Sequence, residues 1–372
     1  MTYSHAHTPP QATHPGLIIK EELAERKIKQ TELAAETGIQ ATQLNEIIKA
    51  KRSLSAEQAL LIGAALGIPA QDLTNAQANY DLHCAQIETG TIARLAAVEE
   101  LQTLKQIVDI NYFRKEGVVT GRPAADVLGL LRVHSCKSVS QLKEHLLQDV
   151  AEGVLYKKSE KLSEYKPFVN SWVRYVKHLA TAEQVPAFNF SCQEELMTQV
   201  KKVFQGTDVR NKLETTLKKY GIKLIIKQKP DKTPLDGAAF WQGDSPILGL
   251  TLRHSRFDNF IFTVYHELGH IFLHLKDKKN RSVDYVDSLD AVSIKGLSKK
   301  EDEANDFARN TMILPDKWAD FISKTKVFTD VDISRFAKSV GIPASAVLGR
   351  LCFDEHMSYA CNSIHKKNNV IP

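Results

Sequence analysis

Nothing in this 372-residue sequence approaches the run of roughly 20 apolar residues that a membrane-crossing helix needs. The opening MTYSHAHTPPQATH also lacks the apolar core of a secretory leader, so the expected location is the cytoplasm, with no membrane partner. Cysteine is sparse: Cys84, Cys136, Cys192, Cys352 and Cys361 are five in number, scattered, and form no CxxC pair. That excludes a disulfide framework and a cysteine zinc site. Cys352 and Cys361 flank His356, but buried or free thiols are the simpler reading of that trio. A strong excess of one charge is also missing. The net charge of +5 permits nucleic-acid contact without implying it. What is present is ordinary globular material, 43% hydrophobic and 25% charged, in a chain long enough for two or three domains.

After a polar tail, residues 1–15, apolar residues recur at helical spacing through LIIKEELAERKI. In QTELAAETGIQATQLNEIIKAKRSLS, Leu33, Ala34 and Thr37 form the inward side of one short helix. Gly38 ends it, and Leu44, Ile47 and Ile48 line the next. Two short helices around a Gly-containing turn make a helix-turn-helix pattern. Ser55 is placed to cap a third amphipathic segment, SAEQALLIGAALGI. The second helix, 41–49, is expected in the major groove. Thr42, Gln43 and Asn45, with Gln40 before them, suit base edges and phosphates, while Gln30, Lys49, Lys51 and Arg52 suit the backbone. Electrostatics alone would not reveal this, because residues 1–80 hold seven Lys/Arg against eight Asp/Glu.

Residues 85–211 read as a helical connector with Gly and Pro between its segments. Trp172, Tyr175 and Val176 fall at helical spacing and belong to a core. Lys157, Lys158, Lys161 and Lys166, interleaved with Tyr156, Tyr165 and Phe168, are more simply a solvated face than a nucleic-acid contact. No catalytic constellation appears here, and the segment is a candidate partner surface.

From residue 212 onward the pattern changes. GIKLIIKQK and SPILGLTLR are short β-branched runs bounded by breakers, hence strands. FTVYHELGHIFLH, residues 262–274, then contains an HExxH match. Chance produces such a match in roughly a few per cent of chains this rich in histidine. The geometry is stronger than the pattern. His266 and His270 share one helical face about 6 Å apart, close enough to hold one zinc ion. Glu267, turned about 100° away, suits a general base. His274 lies about 12 Å along an unbroken helix from His266, too far to share that ion, so it is expected to pack or to support a ligand from outside. A third ligand must come from elsewhere. In KKEDEANDFAR, Glu301, Ala304, Asn305, Ala308 and Met312 form one stripe, and an acid on a buried stripe needs a partner or a metal. Glu301 is favoured over Glu303, and Asn305 is placed to orient a zinc histidine. Two histidines and a carboxylate favour zinc among divalent ions.

Two resemblances complete the reading. The first domain, from His14-Pro15-Gly16 to Tyr80-Asp81-Leu82, resembles the HigA-type antitoxins of the Xre family, which implies operator binding as a homodimer. Glu46 departs from the neutral or basic residue many relatives carry on the groove-facing side. Four later pieces resemble the ImmA/IrrE metallopeptidases: Asp236-Gly237-Ala238-Ala239-Phe240-Trp241, the strand Leu248 to Arg253, the HELGH helix, and Glu301-x-Glu303-Ala304-Asn305-x-Phe307-Ala308-Arg309. The likeness continues through Val347-Leu348-Gly349-Arg350-Leu351 and implies a zinc endopeptidase acting on a protein such as a repressor. The expected architecture is therefore multidomain. It comprises an all-α helix-turn-helix domain at 16–84, the helical connector at 85–211, and an α+β zincin-like domain at 212–372. The strand at 247–252 is expected to pair with an extended substrate at its edge. Tyr265, His254 and Arg350 are candidates for stabilising the oxyanion. A non-proteolytic antitoxin-repressor that neutralises a cognate toxin by binding is the competing reading.

Overall fold

The computed structural model describes residues 12–148, 154–156, 160–231, 233–252, 256–282, 284–287 and 299–367. The tail up to Gln11, Lys157, Lys158 and His254 lie outside the described residues, as do the side chains of Tyr156, Lys161, Tyr165 and Lys166. The chain divides into two compact units, Met1–Glu99 and Glu100–Pro372.

The elements of the first unit among the described residues are all helices: α1 (Pro15–Glu25), α2 (Gln30–Thr37), α3 (Ala41–Ile48), α4 (Ala56–Leu66), α5 (Ala70–Ile87) and the start of α6 (Thr89–Leu104). Each short helix is bounded by its own sequence. His14 accepts a hydrogen bond from the Gly16 amide to start α1, and Ser55 accepts one from the Gln58 amide to start α4. Helix α2 ends at Gly38, in the left-handed region at φ 70°. Ile19, Leu33, Leu44, Ile47, Ile62 and Leu66 are buried together as the core. The loop after α3 is held by Gln77 of α5, whose Oε1 accepts from the Leu54 amide at 2.9 Å while its Nε2 donates to Asp81.

The second unit begins with α7 (Ile110–Lys115), α8 (Pro123–Val133), α9 (Val139–Gln148), β1 (Val154–Tyr156), α10 (Glu160–Ala180), α11 (Gln193–Phe204) and α12 (Val209–Lys219). Then follow β2 (Lys223–Ile226), β3 (Gly237–Gln242), β4 (Ser245–Leu250), α13 (Phe257–Gly269) and β5 (Asp284–Asp287). The remaining helices are α14 (Lys299–Met312), α15 (Pro315–Lys324), α16 (Asp330–Val340), α17 (Ala344–Phe353) and α18 (Ile364–Lys367). Among the described residues five strands form one mixed sheet in the order β1-β5-β3-β4-β2. β3 pairs antiparallel with both β4 and β5, while β2 with β4 and β1 with β5 are parallel pairs.

Side chains alternate across a strand, so the sheet has two apolar faces, and both are covered. Ile225, Ala238, Phe240, Ile247 and Val286 face a core with Phe113, Leu130, Trp172 and Val176 from α7, α8 and α10. Leu224, Ala239, Leu248, Leu250 and Tyr285 face a second core supplied by α11–α17. Residues of α7 to α10, up to Ala180, are thus one cover of the sheet, while α11 joins the other, and both share a compact unit with residues 212–372. Trp172 also fastens this cover, its indole N–H donating to the Gln228 carbonyl at 3.0 Å.

Among the described residues no single helix is long and apolar enough to cross a membrane. One expectation needs correction. β4 lies between β3 and β2 and has both backbone edges paired, so the strand at 247–252 has no free edge for an extended peptide.

Candidate metal centre and DNA-reading face

Helix α13 is buried from Phe257 through Gly269 on nearly every side, which follows from its almost unbroken apolar sequence. It carries His266 and Glu267, and His270 follows directly. All three are fully buried. Past Gly269 the backbone widens into a π-turn over His270–His274, with the Leu275 amide reaching back to the His270 carbonyl at 3.0 Å. Helix α14 lies across α13, burying the stripe Glu301, Ala304, Asn305, Ala308 and Met312. Gly269 permits that close crossing, since a Cβ there would stand 3.2 Å from Ala304 Cα.

The crossing gathers three ligand atoms. His266 Nε2 and His270 Nε2 lie 3.0 Å apart. They stand 3.3 Å and 3.5 Å from the two carboxylate oxygens of Glu301. All three donors fall within 4.8 Å of one another, a group of metal-binding proportions. Glu301 is only 4% exposed, and its Oε2 makes no hydrogen bond. Burial pushes the His270 imidazole down to about 4, against the opposing pull of Glu301. Burial alone would raise Glu301, but the imidazoles of His266 and His270 prevail and hold its carboxyl below the usual range. A metal ion takes neutral histidine beside ionised carboxylate, and the lowered His270 fits that requirement. His266 Nδ1 lies 3.0 Å from Asn305 Oδ1. The amide oxygen accepts, so the proton sits on Nδ1 and the Nε2 lone pair is turned toward Glu301. Two nitrogens and an orphaned buried carboxylate oxygen converging on one point fit a divalent cation.

The surroundings restrain these rings. Phe262 stacks on His266 at 6.1 Å, and Tyr285 of β5 lies over both His270 and His274, at 4.7 Å and 5.3 Å. Lys300 Nζ donates to the Tyr285 hydroxyl at 2.8 Å. Glu267 lies against Gly237 of β3, where any Cβ would come within 2.5 Å of Glu267 Oε1. His274 Nδ1 is 2.9 Å from His270 Nδ1, and its Nε2 is 3.1 Å from Glu303 Oε2. Glu301 is therefore the acid beside His266 and His270, while Glu303 meets His274. Sequence reasoning did not anticipate Tyr285, which comes from a strand without any motif, nor the π-turn over His270–His274.

Two oxyanion candidates are displaced. Tyr265 is buried in the apolar core and packs against Phe204 at 5.6 Å. Arg350 donates to the Arg309 and Ile313 carbonyls and covers Trp318, which makes it a structural tie between helices.

On the first unit, Gln30, Asn45, Lys49 and Lys51 line one groove of about 670 Å³ between α1 and α3, floored by Leu23 and Ile48. Gln40, Thr42 and Arg52 are exposed and Gln43 half-buried, outside that groove. Arg52 pairs with Glu46 at 3.3 Å, both being about half exposed, so the acid on α3 offsets a cation expected to meet phosphate.

Comparison with known proteins agrees with this division. Residues 19–73 match the helix-turn-helix family, and residues 217–351 match the IrrE N-terminal-like domain, a metallopeptidase-like family. The chain is also 33% identical over 82 residues to Virulence-associated protein I of Dichelobacter nodosus, covering 22% of this chain and 76% of that protein. It belongs to that protein's family. The chain thus joins a helix-turn-helix domain, of the kind that binds DNA, to an IrrE-like domain of a family that is typically metal-dependent. In the IrrE-like domain the matched span begins at α12 and ends in α17, so it contains the whole donor group.

Proposed function

We propose that this protein is a DNA-binding regulator whose IrrE-like domain is a zinc-dependent endopeptidase acting on a protein partner, a cognate toxin or a repressor. The observation that carries it is the convergence of His266 Nε2, His270 Nε2 and Glu301 within 4.8 Å, with Glu267 one residue from His266. His266, His270 and Glu301 hold the ion, and Asn305 orients His266. Bound zinc supplies Lewis acidity, polarising a carbonyl and acidifying water. Glu267 accepts the proton of the attacking water and returns it to the leaving amine. A site that served structure alone would have no need of that carboxylate.

The helix-turn-helix domain supports operator recognition through Gln40, Thr42, Gln43 and Asn45, with Gln30, Lys49, Lys51 and Arg52 toward the backbone. A homodimer matches two operator half-sites, and operator DNA places the protein in the cytoplasm. The second reading is an antitoxin-repressor that acts by binding, with the zinc fold as scaffold or sensor. It is supported by the helix-turn-helix domain matched over residues 19–73, which would act by binding alone.

Glu267→Gln separates the two. The variant is expected to keep one equivalent of zinc and its operator affinity while losing cleavage of its partner in cells. Retention of every phenotype, toxin neutralisation included, would sink the peptidase reading. Glu301→Ala is expected to lose the metal itself, read by elemental analysis of the purified protein.

A further inference from the structure

His274 and Glu303 take no part in the donor group, yet they are joined to it by an unbroken line of contacts. A carboxylate accepts hydrogen bonds and donates none, so the 3.1 Å contact from Glu303 Oε2 places the His274 proton on Nε2. The other Glu303 oxygen leans on Lys299 Nζ at 3.7 Å. A neutral imidazole has a single N–H, which leaves a lone pair on His274 Nδ1. The 2.9 Å contact between the two Nδ1 atoms is then made by His270 donating. That leaves His270 Nε2 with its lone pair, and Nε2 is the atom turned toward His266 Nε2 and Glu301.

We propose that Glu303 and His274 form a positioning relay that selects the metal-binding tautomer of His270, as Asn305 does for His266. The inference rests on reading His266, His270 and Glu301 as a metal site. Both rings lie on the π-turn His270–His274, four residues apart and on one side of it, with their Nδ1 atoms 2.9 Å apart. Each ligand histidine thus has its Nδ1 proton committed to a partner: an amide oxygen for His266, and a second imidazole backed by a carboxylate for His270. Packing alone does not explain the arrangement, since Tyr285 would stack equally well on a phenyl ring in place of His274.

The test measures zinc affinity of the full-length metal-free protein by competition with a chromophoric chelator, which needs no peptidase activity. His274→Phe keeps the ring under Tyr285 and removes the relay. Glu303→Ala removes the acceptor at a half-exposed position where folding is not at stake. Both are expected to weaken zinc binding about 10- to 100-fold, the range for outer partners of ligand histidines. Glu303→Gln, whose amide oxygen still accepts from His274, is expected to stay within about threefold of wild type. Nitrogen-15 imidazole spectra of the metal-free protein should show His270 protonated at Nδ1 in wild type and as a tautomer mixture in His274→Phe. Wild-type affinity in both His274→Phe and Glu303→Ala overturns the relay, as does a Glu303→Gln affinity no better than that of Glu303→Ala. Failure of the wild type to bind zinc would instead remove the metal reading beneath it.

Discussion

At the scale of single residues, burial decides which charges this protein tolerates. His134, at the C-terminal end of α8, is buried against Phe113, with Nδ1 2.7 Å from the Leu130 carbonyl and Nε2 2.6 Å from Ser171 Oγ. Burial pushes its pKa down to about 4, and nearby Arg174 and His178 add to the effect against the Leu130 carbonyl. The folded imidazole is thus neutral where the unfolded one, near 6.5, gains a proton. Its contribution is fully present above the unfolded value and is lost as pH falls from about 6.5 toward about 4. A shift of that size is worth on the order of 3 kcal/mol. Denaturant unfolding of wild type should therefore weaken across this window, and His134→Gln, less stable at pH 7, should show a shallower pH slope. The Glu46–Arg52 pair makes a second residue-scale prediction. Glu46→Gln releases Arg52 and removes a repulsion from phosphate. Operator affinity should rise severalfold at low salt, with the log–log salt slope steeper by about 1 if Arg52 gains a phosphate. An unchanged slope would show that Arg52 does not meet the backbone.

At the scale of elements, the site exists because α13, α14 and two strands approach more closely than ordinary side chains allow. Gly269 sets the α13–α14 crossing, and Gly237 brings β3 against Glu267. Gly237→Ala would drive a methyl group to within 2.5 Å of Glu267 Oε1, so the carboxylate must move. Zinc content should be preserved, since Gly237 meets none of the three donors, while partner cleavage should fall at least tenfold. Normal cleavage by this variant would show that the position of Glu267 is unimportant. The stripe of α14 was legible from spacing alone, because Glu301 and Asn305 recur with Ala304, Ala308 and Met312 at helical intervals. The π-turn was not. Nothing in HIFLH distinguishes it from α-helix, and tertiary packing rather than local preference decides such a widening. The edge status of β4 was equally invisible, since strand order depends on which distant segments pair.

At the scale of the whole molecule, the second unit is a sheet with two covered faces, and its two covers come from different parts of the chain. The IrrE-like match starts at residue 217, whereas the cover supplied by α7, α8 and α10 lies before it. A fragment of residues 212–372 would therefore expose Ile225, Phe240, Ile247 and Val286 and should aggregate. Residues 100–372 should remain monodisperse and retain zinc. A soluble, zinc-binding 212–372 fragment would show the helical cover to be dispensable. The sequence by itself determined the local elements. It specified the helix-turn-helix with its Gly38 stop, the HELGH helix, and an acid and an amide on one buried stripe, all read from spacings of three and four residues. It also carried the likeness to a helix-turn-helix domain and to an IrrE-like domain. Only the tertiary structure decided which acid meets which histidine, which strands are interior, and that the middle of the chain roofs the sheet. Those outcomes depend on contacts between residues far apart in sequence, such as His270 with Tyr285 and His274 with Glu303, and local periodicity carries no record of them.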